Sequence, residues 1–95
     1  LISRPEATFM LRVEGDSMVE AGILPGDTVL VERGRAPRNG DIVIACVDGA
    51  WTMKYFFKDG REIRLEPANK AYATIRPKSR LAVEGVVSSV IRKLV

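Results

Sequence analysis

Ninety-five residues, 46% hydrophobic and 28% charged, suit one globular domain, 1–95. The absence of histidine excludes Ser-His-Asp and Cys-His catalysis and any His-containing metal site, and a single cysteine excludes an internal disulfide. The net charge of +3 comes from basic residues scattered among turn residues (Arg33, Arg35, Arg38, Arg76, Lys78, Arg80), without the aromatic platform of a nucleic-acid binder.

Short apolar or alternating runs broken by Gly, Pro, Asn and Asp predict an all-β domain of short, mostly antiparallel strands with hairpins. Leu1–Ala7 reads as a lead-in from something longer, followed by a strand at Thr8–Glu14. Asp16–Ile23 has room for a helical turn or two, and Pro25-Gly26-Asp27 turns the chain into a strand at Thr28–Glu32. Beyond the turn Pro37–Asp41, strands are expected at Asp41–Val47, Ala50–Lys58, Arg61–Glu66, Arg80–Val83 and Val86–Arg92. Cys46, inside the apolar run Ile42–Val47, reads as a buried inert thiol. No apolar run approaches the ~20 residues of a membrane helix. No secretory leader is visible, so a cytoplasmic protein without membrane contact is expected.

Asp48-Gly49 and Asp59-Gly60 are hairpin signals. Two-residue loops there set Val47 opposite Ala50 and Lys58 opposite Arg61. Counting back places Lys54 between Val43 and Leu65, on the core face with Thr52 and Phe56. Trp51, Met53 and Tyr55 take the other face beside Glu62, Arg64 and Glu66, as a partner surface or under the remaining strands.

A lysine aimed into a core is unusual, because the buried ammonium is destabilised and its pKa falls towards the range of a general base. The alternative is a side chain that snorkels to the sheet edge. Gly15-Asp16-Ser17-Met18 follows a strand and begins a turn, so a hydroxyl and unpaired amides are presented together. Such amides can hold an oxyanion, and the plainer alternative is a helix N-cap. Asp16 and Asp27 are explained by turn chemistry.

These residues carry a resemblance. Glu14-Gly15-Asp16-Ser17-Met18, Ala21-Gly22-Ile23, Gly26-Asp27, Asn39-Gly40-Asp41-Ile42-Val43 and Thr52-Met53-Lys54 together resemble the peptidase domain of the LexA/UmuD family of SOS-response autopeptidases. Leu65-Glu66-Pro67-Ala68-Asn69 and the final run Gly85–Arg92 extend the likeness along most of the chain. The resemblance implies a serine–lysine dyad, with Ser17 as nucleophile, Lys54 as base and the backbone amides of Asp16 and Ser17 as oxyanion donors. It implies no metal or organic cofactor. The substrate would be a peptide bond in the protein's own upstream segment, cut when a RecA filament on single-stranded DNA favours docking of that segment. It also implies a homodimer formed largely through Val86–Leu94.

Within the family, a LexA-like protein would bind DNA through an N-terminal domain absent from this chain. A UmuD-like one would serve an error-prone DNA polymerase, and the lead-in Leu1–Phe9 leans that way. The family cuts after a small residue followed by Gly, yet Leu1–Asp16 contain no Ala-Gly or Cys-Gly bond. The expectation is a processed or trimmed chain that does not cut itself in cis. A non-catalytic dimerisation domain of a phage-type repressor is the alternative. A type I signal peptidase core is a more distant one, since the membrane anchor it needs is not visible.

Overall fold

A computed structural model describes residues 7–78 and 80–94. The lead-in read at Leu1–Ala7 therefore lies, apart from Ala7, outside the described residues. The strands are β1 (Thr8–Arg12), β2 (Thr28–Glu32), β3 (Ile42–Val47), β4 (Ala50–Asp59), β5 (Glu62–Glu66) and β6 (Leu81–Ile91), and a short 3₁₀ turn occupies Val19–Ala21. All six strands form one antiparallel sheet in the order β1-β2-β6-β3-β4-β5, as expected for an all-β chain.

The first hairpin has the expected register. Val47 faces Ala50 and Val43 faces Lys54. Asp48 and Gly49 both have positive φ, 49° and 89°, as a type I′ turn requires. The second hairpin differs. Asp59 pairs with Glu62, Lys58 with Ile63 and Phe56 with Leu65, so the loop is Gly60–Arg61. Gly60, at φ 62°, takes the first central position, which is the glycine position of a type II′ turn. Lys54 consequently has no partner on β5, whose pairing ends at Tyr55–Glu66. Because the displacement is two residues and side chains alternate with period two, every side chain keeps its expected face.

The expected strands Arg80–Val83 and Val86–Arg92 are one strand, β6. It carries two bulges. Ala45 faces Val83 while Ile44 faces Gly85, leaving Glu84 as an extra residue. Leu30 faces Ser89 while Val31 faces Val87, leaving Ser88 as another. Glu84-Gly85 reads as a break in the sequence, but a glycine within a strand also marks close backbone approach. That is its role here. A Cβ on Gly85 would lie 2.4 Å from Val31 Cγ1 and 2.9 Å from Glu32 O.

Apolar clusters cover both faces of the central strands. Val43, Ala45, Phe56, Leu65 and Val86 form one, on the side of Lys54. Ile44 joins Val13, Met18, Ile23, Val29, Val31 and Ala68 in the other, with Met53 and Tyr55 packed against it. The face opposite Lys54 is thus covered around Met53 and Tyr55 by the rest of the chain, while Trp51, 62% exposed, remains open on it.

Gly85→Ala forces a methyl group against β2 backbone and is expected to cost about 1–3 kcal/mol, the usual range for overpacking, read from chemical denaturation. Wild-type stability in that variant would contradict the close approach.

Candidate functional site

Ser17 sits where β1 has given way to the 3₁₀ turn. Val13 donates to Asp27 O at 2.7 Å, Gly15 turns the chain at φ 78°, and Met18 is buried as an apolar anchor. The turn is capped at Met18, without a side-chain cap. The capping explanation for Ser17 therefore fails. Its hydroxyl instead lies 3.2 Å from Lys54 Nζ and 3.5 Å from the carbonyl oxygen of Met53.

Lys54 is only 7% exposed, flanked on its face of the sheet by Val43 and Phe56. It does not snorkel. Its Nζ donates to Ser17 Oγ and, at 2.5 Å, to Thr52 Oγ1, the same-face neighbour two residues back. Among the described residues no carboxylate forms an ion pair with it. Burial alone, uncompensated by an acid, lowers the amine's pKa below its ordinary 10.5. A neutral amine within hydrogen-bond reach of a hydroxyl has the lone pair needed to accept its proton.

The chain after β5 forms the other wall. Pro67 has no amide hydrogen to continue a ladder, and the following residues turn to the serine loop. Ala68 N donates to Ser17 O at 2.8 Å, and Glu20 N donates to Ala68 O at 2.8 Å. Asn69 Nδ2 donates to Asp16 O at 2.8 Å, and Tyr72 Oη donates to Asp16 Oδ1 at 2.6 Å. Among the described residues, the backbone N–H groups of Asp16 and Ser17 donate to no protein acceptor. Sequence reasoning missed this wall; the nearest signal was the polar Asn69 just after the proline that ends β5.

Asp16 and Asp27 do serve turns, yet each has a partner that the sequence did not reveal. Asp27 is 3% exposed. It accepts from Leu24 N at 2.8 Å and from Arg92 Nε and Nη2 at 2.8 and 2.6 Å. Arg92 also donates to Gly22 O at 2.7 Å, which ties the end of β6 to the turn that follows Ser17. These bonds hold the Asp27 carboxyl at a pKa of about 2, down from 3.8. Cys46 is half-buried rather than fully enclosed. Among the described residues no three His, Cys, Asp or Glu side chains gather at a possible metal position, and no helix is long and apolar enough to cross a membrane. An open cavity of about 280 Å³ is lined by Leu11–Glu14, Val29, Ile44 and Trp51–Met53, among them Thr52, the hydrogen-bond partner of Lys54.

The profile of the Peptidase S24-like family matches residues 1–88. The chain is 48% identical over 86 residues to the LexA repressor of Acetivibrio thermocellus, covering 90% of this chain and 40% of the relative. It is 45% identical over 89 residues to that of Caldicellulosiruptor saccharolyticus, covering 94% and 44%. Against that of Zymomonas mobilis the identity is 43% over 89 residues, covering 92% and 41%. The chain therefore spans about 40–44% of the length of these relatives.

Two outcomes follow from the electrostatics. Because its pKa falls on folding, Asp27 contributes stability that is complete above about pH 4 and lost as pH drops through about 2. Asp27→Asn should lower stability at pH 7 and flatten the acid limb of the stability curve between those values. For Lys54 the penalised form is the ammonium, so the unfolded chain holds its proton up to pH 10.5 while the folded chain releases it earlier. Lys54→Met should therefore stabilise the fold at pH 7, by about 1 kcal/mol. That gain should shrink as pH approaches 10.5, as read from denaturation midpoints across pH.

Proposed function

The chain belongs to the Peptidase S24-like family, and on that footing we propose that it is the serine–lysine peptidase domain of a LexA-type DNA-damage-response protein. One observation carries the reading: a buried, acid-free lysine amine 3.2 Å from a serine hydroxyl at the mouth of a turn.

In this mechanism Ser17 Oγ attacks the carbonyl carbon of a peptide bond as its proton passes to Lys54 Nζ. The backbone amides of Asp16 and Ser17 receive the resulting oxyanion, a contribution of about 3–4 kcal/mol per donor in such sites. Collapse of the tetrahedral species breaks the C–N bond, and Lys54 returns the proton to the leaving amine. A water molecule, deprotonated in turn by Lys54, then attacks the acyl carbon; the C–O bond to Ser17 breaks, and Lys54 returns the proton to Ser17 Oγ. Thr52 directs the amine by accepting one of its hydrogens. No metal or cofactor takes part.

The bond cut lies in an upstream segment of the whole protein, at a small residue followed by Gly, and a RecA filament promotes docking of that segment. Repression of DNA-damage genes falls to the whole protein, whose DNA contacts come from an N-terminal domain outside this chain. The named relatives are LexA repressors, which favours this role over a UmuD-like partnership with an error-prone polymerase. Pairing of two copies through the end of β6 is supported by the exposure of Val90, Ile91 and Leu94.

A serine-directed activated ester tests the dyad. Labelling should fall on Ser17, rise with pH to a midpoint below 10.5, and vanish in Ser17→Ala. Lys54→Ala should slow it by roughly 10²-fold or more. Undiminished labelling in Lys54→Ala would remove the proposed base.

A further inference from the structure

Asn69 makes two bonds of opposite sense. Its Nδ2 donates to the carbonyl oxygen of Asp16 at 2.8 Å, and its Oδ1 accepts from the backbone N–H of Ala71 at 2.8 Å. The orientation of the amide is unambiguous, since a carbonyl oxygen only accepts and a backbone N–H only donates. One peptide unit holds both Asp16 C=O and Ser17 N–H. The described chain has no cis peptide, so these two groups point in opposite directions across a rigid plane. A side chain that pins the carbonyl therefore also sets the direction of the amide.

The neighbouring plane is pinned likewise, by Ala68 N on Ser17 O at 2.8 Å. Val19 N also reaches Asp16 O, but at 3.3 Å, leaving Asn69 as the closer donor. Donation to the carbonyl polarises the peptide and strengthens the same unit's N–H as a donor. Tyr72 meanwhile holds the Asp16 carboxylate by its Oδ1, at 2.6 Å.

We infer that Asn69 is a positioning residue for peptide cleavage: through the Asp16 carbonyl it aims the Ser17 backbone amide at the oxyanion. The inference rests on the Ser17–Lys54 reading but assigns a different task, because Asn69 touches neither the hydroxyl nor the amine. It acts on the charge that develops after attack, whereas Lys54 acts on the proton. The two contributions separate experimentally.

Asn69→Asp keeps an acceptor for Ala71 N and loses the donor to Asp16 O; Asn69→Ala loses both, without adding charge. Each is reacted with a serine-directed activated ester across pH, beside wild type. The maximal rate of Ser17 acylation should fall about tenfold or more in both variants, part of the 10²–10³ typical of losing an oxyanion donor outright. The pH midpoint of labelling, which reports Lys54, should stay at its wild-type value. A wild-type maximal rate in either variant overturns the inference and leaves the dyad intact. So does a shifted midpoint, since that places the effect on the lysine or on the fold at large. If the wild-type chain itself is not labelled at Ser17, the dyad reading fails and this inference with it.

Discussion

An ammonium group taken out of water among apolar side chains is unstable unless an acid pairs with it or it gives up its proton. Lys54 is in that position, packed beside Val43 and Phe56 with hydroxyls rather than carboxylates as partners. The fold thus forgoes stability at one residue, and the same environment leaves the amine able to take a proton. Placing an aspartate beside Lys54 would stabilise the charge and remove that capacity. Serine and threonine satisfy its hydrogen bonds without fixing its charge.

The rest of the sheet serves this arrangement. Because the pairing of β5 stops at Tyr55–Glu66, the position flanking Lys54 is open to the chain that leaves Pro67. That segment carries the serine loop, through Ala68 and Asn69, to the amine. A register two residues longer would have set Leu65 beside Lys54, as the Asp59-Gly60 signal first implied, and closed the gap. The insertion of β6 between β2 and β3 is as necessary. It brings the two halves of the chain into one sheet, with Gly85 allowing its backbone against Val31 and Glu32.

A second electrostatic contact secures the far side. Asp27, nearly inaccessible, holds the Arg92 guanidinium through both carboxylate oxygens, and Arg92 also reaches the Gly22 carbonyl. Bidentate geometry makes this a stronger and more directional tie than a surface pair. It joins the end of β6, the strand proposed to meet a second copy, to the turn that follows Ser17.

Much of this was legible in the residues. Alternation and turn chemistry specify an all-β chain, Asp48-Gly49 fixes the β3–β4 register, and that register puts Lys54 on a buried face opposite Val43. These are local properties, set by period-two side chains and by which residues accept positive φ. Three other features are not local. Asp-Gly can occupy either the two central positions of a turn or the end of a strand, so the second register waited on packing. Glu84-Gly85 could end a strand or bulge within one, and only the approach of β2 decides. The meeting of Ser17 with Lys54, of Asn69 with Asp16, and of Asp27 with Arg92 joins residues 37, 53 and 65 apart in the chain. No periodicity reaches that far; such contacts exist only once the sheet has closed and brought separate turns to one side.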